Sequence, residues 1–398
     1  MSGVLTGVKR FGMPLAFFAS LIFPLCFGWM IPCCAKSFVY AVSLAIKELL
    51  IFSLPFAVGA LIFNSISRLG IKALGYAPII IGLVCASNFI NTILSYLISA
   101  AVTNPGIDVS AAETVADGLR LLPGFTIDIG TLVSNDVAIV CGASLGLLLT
   151  LFWKESVAKL SVVFGTFTKW FFKCLMPLMP IFIMVTALKL QHDGMITKIF
   201  QQRLPVLFVF IISAYGYVVS QFFLLSLPDV KRCFWYMKNA LPALIAAFGS
   251  MSSAAAMPLS IKAAEKNTGN CGNADIIIPA TVNIHLVGDC FFLPLVAISV
   301  MTSLGMSFPG FCDYLPFAIH FVLAKFAVAA VPGGGVLVMI PVMQKYLGMS
   351  SEALALVTAL YALFDPVITA CNVAGNGAMA IIFEKVAALW KRNKRRCQ

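Results

Sequence analysis

The sequence predicts an all-α integral membrane protein with eight transmembrane helices and two opposed re-entrant helical hairpins. Of its 398 residues, 61% are hydrophobic and only 11% are charged, and the mean hydropathy is +0.99. Soluble domains carry about 25% charged residues, so the composition indicates a chain that is mostly embedded in lipid. Two long apolar stretches in the second half are interrupted by small residues, at Gly249–Ala254 and at Val331–Gly335. These interruptions predict the hairpin tips.

Six transmembrane spans are predicted before the first hairpin, because about 20 apolar residues are needed to cross a bilayer. The first apolar stretch is too long for the core of a signal peptide and lacks a small-residue cleavage site, so we interpret it as a span. A long acidic loop, Thr103–Ser134, separates the third span from the fourth. The spans are Phe11–Pro32, Val39–Phe63, Leu74–Ala101, Val137–Trp153, Phe164–Leu188 and Pro205–Leu227.

The two hairpins follow from apolar segments that turn back before they could complete a crossing. The first consists of Asn239–Gly249, a turn at Ser250–Ser253, and a return through Ala254–Ala264 to charged residues. The second consists of Leu315–Ala330 and Val336–Met343, on either side of the second interruption. An unwound backbone at membrane depth is tolerated only inside protein or beside a water-filled cavity. We therefore expect both tips to lie within the protein.

The seventh and eighth spans frame the second hairpin. The seventh, Asp275–Ser303, has polar residues crowded into its middle, and Asp289 there is open to a functional role or to a capping role. The eighth is predicted over Ser351–Trp390, with interruptions at Asp365-Pro366 and at Asn372–Gly377. Ionisable residues inside a membrane are expensive, so Asp365 is predicted to be functional.

The distribution of charge predicts the orientation of the chain and excludes nucleic-acid binding. The net charge is +11, from 27 basic and 16 acidic residues. Basic residues fall in short connections on one side and in the tail Lys391–Arg396, whereas the acidic loop falls on the other side. Cytoplasmic loops carry the excess of Lys and Arg. The sequence therefore predicts a multi-pass protein of the cytoplasmic (inner) membrane, with both termini cytoplasmic and the lipid bilayer as a partner.

The paired interruptions predict a transporter, since such pairs are the best sequence indication of a binding site at mid-membrane depth. The sequence contains no ATP-binding motif of the Walker type. An enzyme would need a nucleophile with a base or a metal pair, and the three histidines form no such motif. We expect a secondary transporter, with no enzyme activity and no enzyme cofactor. The alternative of a different class is an ion channel or anion conductance, although no ring of like charge supports it.

Four motifs in order resemble the dicarboxylate/amino acid:cation symporter family, the glutamate-transporter homologues. They are Phe248–Pro258, Ile278–Asn283, Val331–Gly335, and Asp365 followed by Asn372–Asn376. The resemblance implies the fold of that family, a homotrimer, and alternating access by a mobile domain. It also implies three parts: residues 1–135 as scaffold and trimerisation spans with the long outer loop, residues 136–237 as spans 4–6, and residues 238–398 as the transport core.

The resemblance assigns substrate contacts, and its departures predict a neutral amino acid. Asp365 occupies the position that holds the substrate's amino group, whereas Ile368 and Met251 stand where acidic-substrate members place an arginine. A second carboxylate would meet apolar surface and cost several kcal/mol. The alternative is an acidic amino acid or C4-dicarboxylate that pairs with Lys325. The predicted substrate-binding residues are Asp365, Ser252, Ser253, Met251, Ile368, Thr369, Asn372, Pro332 and Gly333.

The resemblance also implies sodium as the coupling ion, with a proton as the alternative. The sodium ligands that the resemblance implies are Asn283, Asn372 and Asn376. A second sodium site is expected to be missing, because His285, Ile80 and Ile81 stand at its positions.

Two further residues are candidates for the coupling itself. Lys325 stands near a third sodium site, where its ammonium could replace an ion or simply reach an interface, and His285 could carry a proton or make an ordinary interhelical hydrogen bond. We therefore expect fewer coupled sodium ions than in typical members of the family.

Overall fold

The computed structural model describes residues 16, 19–20, 22–68, 76–102, 121–127, 129, 132–133, 135–175, 177–269, 271–328 and 333–396. All regular secondary structure in these residues is helical, and no strand occurs among them. The all-α prediction is thereby confirmed for this part of the chain. The number of membrane crossings and the sides from which the hairpins enter stay predictions.

Helical residues 22–27 and a 3-10 turn, Gly28–Met30, lead into helices that we label in chain order. They are α1 Cys33–Arg68, α2 Ala77–Val102, α3 Asn135–Phe152, α4 Lys154–Leu175, α5 Leu178–His192, α6 Met195–Ser226, α7 Val230–Ser250, α8 Ser253–Thr268, α9 Cys271–Thr281, α10 Val287–Ser303, α11 Phe311–Lys325, α12 Gly334–Leu347 and α13 Ser351–Arg396. Three of these contain stretches long and apolar enough to cross a membrane: Ala77–Val102, Pro205–Ser226 and Ala353–Trp390.

Two helix pairs lie where the hairpins are predicted. Helices α7 and α8 are joined only by Met251 and Ser252, and they pack against each other along their length. We call this pair hairpin 1. Helices α11 and α12 also pack against each other, and the connection between them includes residues 329–332, which lie outside the described residues. We call this pair hairpin 2.

Three predicted spans differ in detail from the observed helices. The predicted fifth span, Phe164–Leu188, is divided between α4 and α5, and Pro177 lies at the division. The predicted seventh span is divided into α9 and α10 by residues 282–286. The eighth is one continuous helix through Pro366, so the predicted interruptions were wrong. Its Gly375 serves close packing instead, because a β-carbon there would lie 2.5 Å from Val287 Cγ2.

Most contacts between helices fall within two packing groups, with α10 at the centre of the larger one, and α5 also contacts α6 and α13 of the larger group. Helix α10 is buried from Val287 to Met301 and contacts α2, α6 and α13. Helix α1 packs instead on α3, α4 and α5. The third predicted span, α2, therefore packs with the C-terminal helices rather than with α1. The predicted division of the chain into three parts stays a prediction.

Candidate functional site

The tip of hairpin 1 exposes the N-terminus of α8 beside a tight turn. Met251 adopts a left-handed conformation with φ of 51° and is only 2% exposed. Ser252 is the N-cap of α8, and its hydroxyl oxygen accepts a hydrogen bond from the Ala255 N–H at 3.4 Å. Helix N-termini carry partial positive charge and unpaired N–H groups, which favour anions. The tip can therefore receive a carboxylate.

Hairpin 1 is held against α13 by small side chains. Ala243, Ala247 and Ala256 form a buried cluster with Val373 of α13. Small residues let helix backbones approach closely in membrane proteins. Ser253 is also buried, at 4% exposure. Hairpin 1 therefore meets α13 within about 12 Å of Asp365, since eight residues of helix at ~1.5 Å per residue separate it from Val373.

Asp365 faces the tip of hairpin 2. Its Oδ2 accepts a hydrogen bond from the backbone N–H of Gly333 at 2.8 Å, and its Oδ1 accepts one from the Thr369 hydroxyl at 3.0 Å. The side chain is buried, with 3% of the residue exposed. Gly333 has φ of 72°, a conformation that L side chains rarely adopt. Pro332 and Val331, also predicted at this tip, lie outside the described residues.

Ile368 and Asn372 lie on the part of α13 that faces α10. Ile368 is fully buried in the main hydrophobic cluster. Asn372 Oδ1 accepts hydrogen bonds from the backbone N–H groups of Gly288 at 2.8 Å and Asp289 at 3.3 Å. These are N–H groups of the first turn of α10, which has no side-chain cap of its own. Asn372 therefore caps α10 from a different helix.

The unwound segment between α9 and α10 is held by α2 and α13. Asn88 of α2 donates to the Ile284 carbonyl at 2.7 Å and accepts from the Leu286 N–H at 3.3 Å. These bonds satisfy backbone groups that a continuous helix would have paired, as burial in a membrane protein requires. The seventh predicted span can break at this point because a side chain from elsewhere in the chain replaces its helical hydrogen bonds.

His285 has a partner at each ring nitrogen. Nε2 lies 2.9 Å from Ser87 Oγ, and Nδ1 lies 3.2 Å from Asn376 Oδ1. The Asn376 amide also donates to the His285 carbonyl oxygen at 3.3 Å, which orients its Oδ1 toward the ring. The contacts suit a neutral imidazole that donates from Nδ1 and accepts at Nε2. His285 thus makes the interhelical hydrogen bonds that were one of its two predicted roles.

Buried polar atoms of two asparagines, the half-buried Asn283 and the buried Asn91, are unused. Asn283 Oδ1 and both amide atoms of Asn91 have no hydrogen-bond partner among the described residues. Such atoms are rare in protein interiors and call for a partner such as water or an ion. The carbonyl oxygen of Asn283 therefore suits a sodium ligand. Asn372 and Asn376, predicted alongside it, already use their oxygens as acceptors.

Ser87 and Asn88 were not named in the sequence analysis, which considered only Ile80 and Ile81 of this helix. Ile80 instead lies in an apolar cluster with residues of α9. A signal was present, because the polar residues of α2 recur at helical spacing within an apolar span, which predicts one buried polar face. This face consists of Ser87, Asn88, Asn91, Thr92, Ser95 and Ser99.

Lys325 is fully buried within the protein, so its side chain does not extend outward toward a membrane surface. Its Nζ lies 2.9 Å from Asp289 Oδ2, and the Tyr361 hydroxyl donates to Asp289 Oδ1 at 3.0 Å. Asp289, whose role the sequence left open, is therefore one half of a buried ion pair. The geometry brings the predicted residues into three neighbouring sets: Asp365, Thr369 and Gly333; Asn372, Asn376 and His285; and Lys325 with Asp289.

Comparison with known sequences gives a family match over most of this region. The sequence model of the sodium:dicarboxylate symporter family matches residues 138–386, well over half of the chain. This range includes both hairpins, the broken helix and the buried residues of α13 described above.

Curated relatives are similar over shorter ranges. An "Uncharacterized symporter" of Haemophilus influenzae is 31% identical over 180 residues, which cover 43% of this chain and 39% of the relative. An "Excitatory amino acid transporter" of Caenorhabditis elegans is 26% identical over 160 residues, 38% of this chain and 31% of the relative. "Excitatory amino acid transporter 1" of Homo sapiens is 25% identical over 165 residues, 41% of this chain and 30% of the relative. The chain thus spans well under half the length of these relatives.

Proposed function

The chain belongs to the sodium:dicarboxylate symporter family, and we propose that it is a secondary active transporter that carries an amino acid together with a cation by alternating access. The observation that carries the proposal is the buried carboxylate of Asp365 at the tip of hairpin 2. An ionised carboxylate has about four lone-pair sites, and Gly333 and Thr369 use two of them. The remaining sites can accept the ammonium group of an amino acid.

The substrate's carboxylate is proposed to bind at the tip of hairpin 1. The N–H groups at the start of α8 and the hydroxyls of Ser252 and Ser253 are the donors. An amino acid held in this way would join the two hairpins through its two charged groups. Its remaining contacts are proposed to come from Met251, Ile368, Thr369, Asn372, Pro332 and Gly333.

The side chain of the substrate is proposed to be neutral. Met251 and Ile368 are apolar, and the buried ammonium of Lys325 is already paired with Asp289. An acidic side chain would therefore lack a cationic partner and would cost several kcal/mol in a dry site. The names of the family and of two relatives favour the alternative of an acidic amino acid or a C4-dicarboxylate. The transport experiment below distinguishes these substrates.

Sodium is the proposed coupling ion. The family description supports it, and the unused Oδ1 of Asn283 supplies an oxygen of the kind that hard cations prefer. Asn372 and Asn376 complete the proposed ligand set. The Asn372 oxygen would have to exchange one of its two hydrogen bonds for the ion, whereas the Asn376 oxygen accepts only one and has a second lone pair. Moving one net charge inward is worth about 2.3 kcal/mol per 100 mV, or roughly a fortyfold concentration gradient. Coupling to few ions therefore suffices for concentrative uptake.

We propose that the two packing groups move relative to each other during transport. Helix α1 with α3, α4 and α5 would form the static part, and α2 with α6 to α13 would form the mobile part. We further propose that the protein is a homotrimer, which the family resemblance supports. We also propose that it lies in the cytoplasmic membrane with both termini in the cytoplasm, which the positive-inside distribution supports.

Uptake into proteoliposomes tests the proposal. Radiolabelled serine, alanine and glutamate are supplied with and without an inward sodium gradient, and Asp365→Asn is the binding-deficient control. We expect uptake of serine or alanine that the sodium gradient accelerates, and little uptake of glutamate. Glutamate carried faster than either neutral amino acid would establish the acidic alternative. Uptake that ignores both sodium and pH would refute cation coupling, and an ionic current without substrate uptake would favour a channel.

A further inference from the structure

The charges of Lys325 and Asp289 form an ion pair without access to solvent. The side chains are 0% and 1% exposed, and Nζ lies 2.9 Å from Oδ2. The ammonium also lies 4.5 Å from the centroid of the Phe321 ring, within the range of a cation–π contact. The second carboxylate oxygen is used by the Tyr361 hydroxyl. The charge of Lys325 in α11 is therefore compensated by Asp289 in α10. The charge of Asp289 is compensated by Lys325 and by the hydroxyl of Tyr361 in α13.

Stability alone does not account for such a pair. Removing two charges from water costs several kcal/mol per ion, and replacement of a buried pair by apolar residues is often neutral or stabilising. Charged residues within membrane segments are generally functional for the same reason. A role in the working of the protein is therefore the better explanation for Lys325 and Asp289.

The position of the pair indicates what that role is. Lys325 is the last residue of α11, and Gly335 lies in the first turn of α12, so both arms of hairpin 2 reach Asp289. A β-carbon on Gly335 would lie 2.6 Å from Asp289 Oδ2 and closer still to the Tyr361 hydroxyl. Glycine at this position therefore lets α12 contact the carboxylate directly. The pair joins the base of the hairpin tip to α10 and α13, next to the contact between Gly333 and Asp365.

We propose that Lys325 is a built-in cation that closes hairpin 2 onto Asp289, so that this closure needs no ion from solution. The inference rests on the proposed cation-coupled transport, and it assigns one positive charge of the transport core to the protein itself. A buried carboxylate has to be paired with a positive charge, or else it takes up a proton and becomes neutral. The lysine supplies that charge permanently. Removal of the ammonium should then turn Asp289 into a site for a small cation.

The test measures sodium-dependent thermal stability of the purified full-length protein, comparing sodium chloride with choline chloride. A ligand that binds only the folded state raises Tm, and the stabilisation grows with the logarithm of one plus its concentration over Kd. We expect sodium chloride to raise the Tm of Lys325→Met by ~3 °C or more beyond the rise that it causes in the wild type. Lys325→Met combined with Asp289→Asn should return to the wild-type response, because no uncompensated carboxylate remains. Lys345→Met, which removes an exposed lysine of the same hairpin, is the matched control.

Several outcomes would overturn the inference. Lys325→Met with no additional response to sodium would show that Asp289 takes no cation in place of the ammonium. An additional response that persists in the double variant would place the ion elsewhere. If Lys325→Met does not fold, Lys325→Gln is measured in its place, since its amide can still donate to Asp289 without the charge. The measurement requires neither substrate nor transport, so it remains decisive even if the proposed substrate is wrong.

Discussion

The backbone N–H of Gly333 donates a hydrogen bond to the carboxylate of Asp365 at 2.8 Å, which joins the tip of hairpin 2 to the N-terminal third of α13. The same carboxylate is the proposed acceptor of the substrate's ammonium group. The group that holds the hairpin is thus also the group that would bind the substrate. Substrate binding and the position of hairpin 2 are therefore expected to influence each other, because both depend on the lone pairs of one side chain.

Asp365→Asn should abolish substrate binding without unfolding the protein. The amide keeps an oxygen that can accept from Gly333 and loses the charge that an ammonium requires. Loss of one partner of a buried pair costs about 3–5 kcal/mol, which corresponds to a loss of affinity of at least ~100-fold. The measurement is equilibrium binding of the transported amino acid. Asp313→Asn, which neutralises an exposed carboxylate in the first turn of α11, should bind as the wild type does.

Gly288→Ala should destabilise the contact between α10 and α13. A β-carbon there would lie 3.1 Å from Asn372 Oδ1 and closer still to the Ile368 carbonyl oxygen, so backbone has to move. We expect a loss of about 1–3 kcal/mol, as for other overpacked sites, measured as a lower Tm in detergent. Gly216→Ala in α6, where nothing lies within 4 Å of the added carbon, should cause no loss. Equal effects of the two substitutions would contradict the close approach of α10 and α13.

Asn88→Leu and Asn91→Leu should differ although the residues lie on the same face of α2. Asn88 satisfies the Ile284 carbonyl and the Leu286 N–H, so its loss leaves two buried backbone groups unpaired. Each such group costs about 1–3 kcal/mol. Asn91 makes no hydrogen bond to the described residues, so its replacement leaves no backbone group of the protein unpaired and should cost less than that of Asn88. Thermal unfolding of the two variants is the measurement. A comparable loss in Asn91→Leu would indicate that a water or ion binds there.

His285→Gln should leave the pH dependence of uptake unchanged. At each pH, the uptake rate relative to its maximum should stay within about twofold of the wild-type value. Glutamine carries a donor group and an acceptor group, as the neutral imidazole does, so the contacts with Ser87 and Asn376 can be kept. His285→Leu removes both and should cost about 1–3 kcal/mol of stability. Uptake at a series of pH values checks the first expectation. A pH profile that flattens in His285→Gln would support a proton contribution instead.

The amino-acid sequence predicted the features that depend on local pattern. Hydropathy alone marks a membrane protein, because each apolar stretch shows its preference for lipid without reference to any neighbour. The interruption at Ser250–Ser253 likewise predicted a turn, and the turn lies within that range, at Met251 and Ser252. The same local reasoning was wrong for α13. Pro366 and Gly375 suggested breaks there, but the helix continues through both, and Gly375 allows the close approach of Val287.

The tertiary structure alone decided which polar groups meet. Ser87 contacts His285 across 198 residues of sequence, Asn372 caps α10 across 84, and Lys325 pairs with Asp289 across 36. No spacing rule connects such positions, since their proximity depends on how several helices pack. Asp365 combines both kinds of information. The cost of burying a carboxylate predicted from the sequence that this residue is functional, whereas its contact with Gly333 was apparent only in the folded hairpin. Local hydropathy thus determined the fold class, and helix packing determined the chemistry within it.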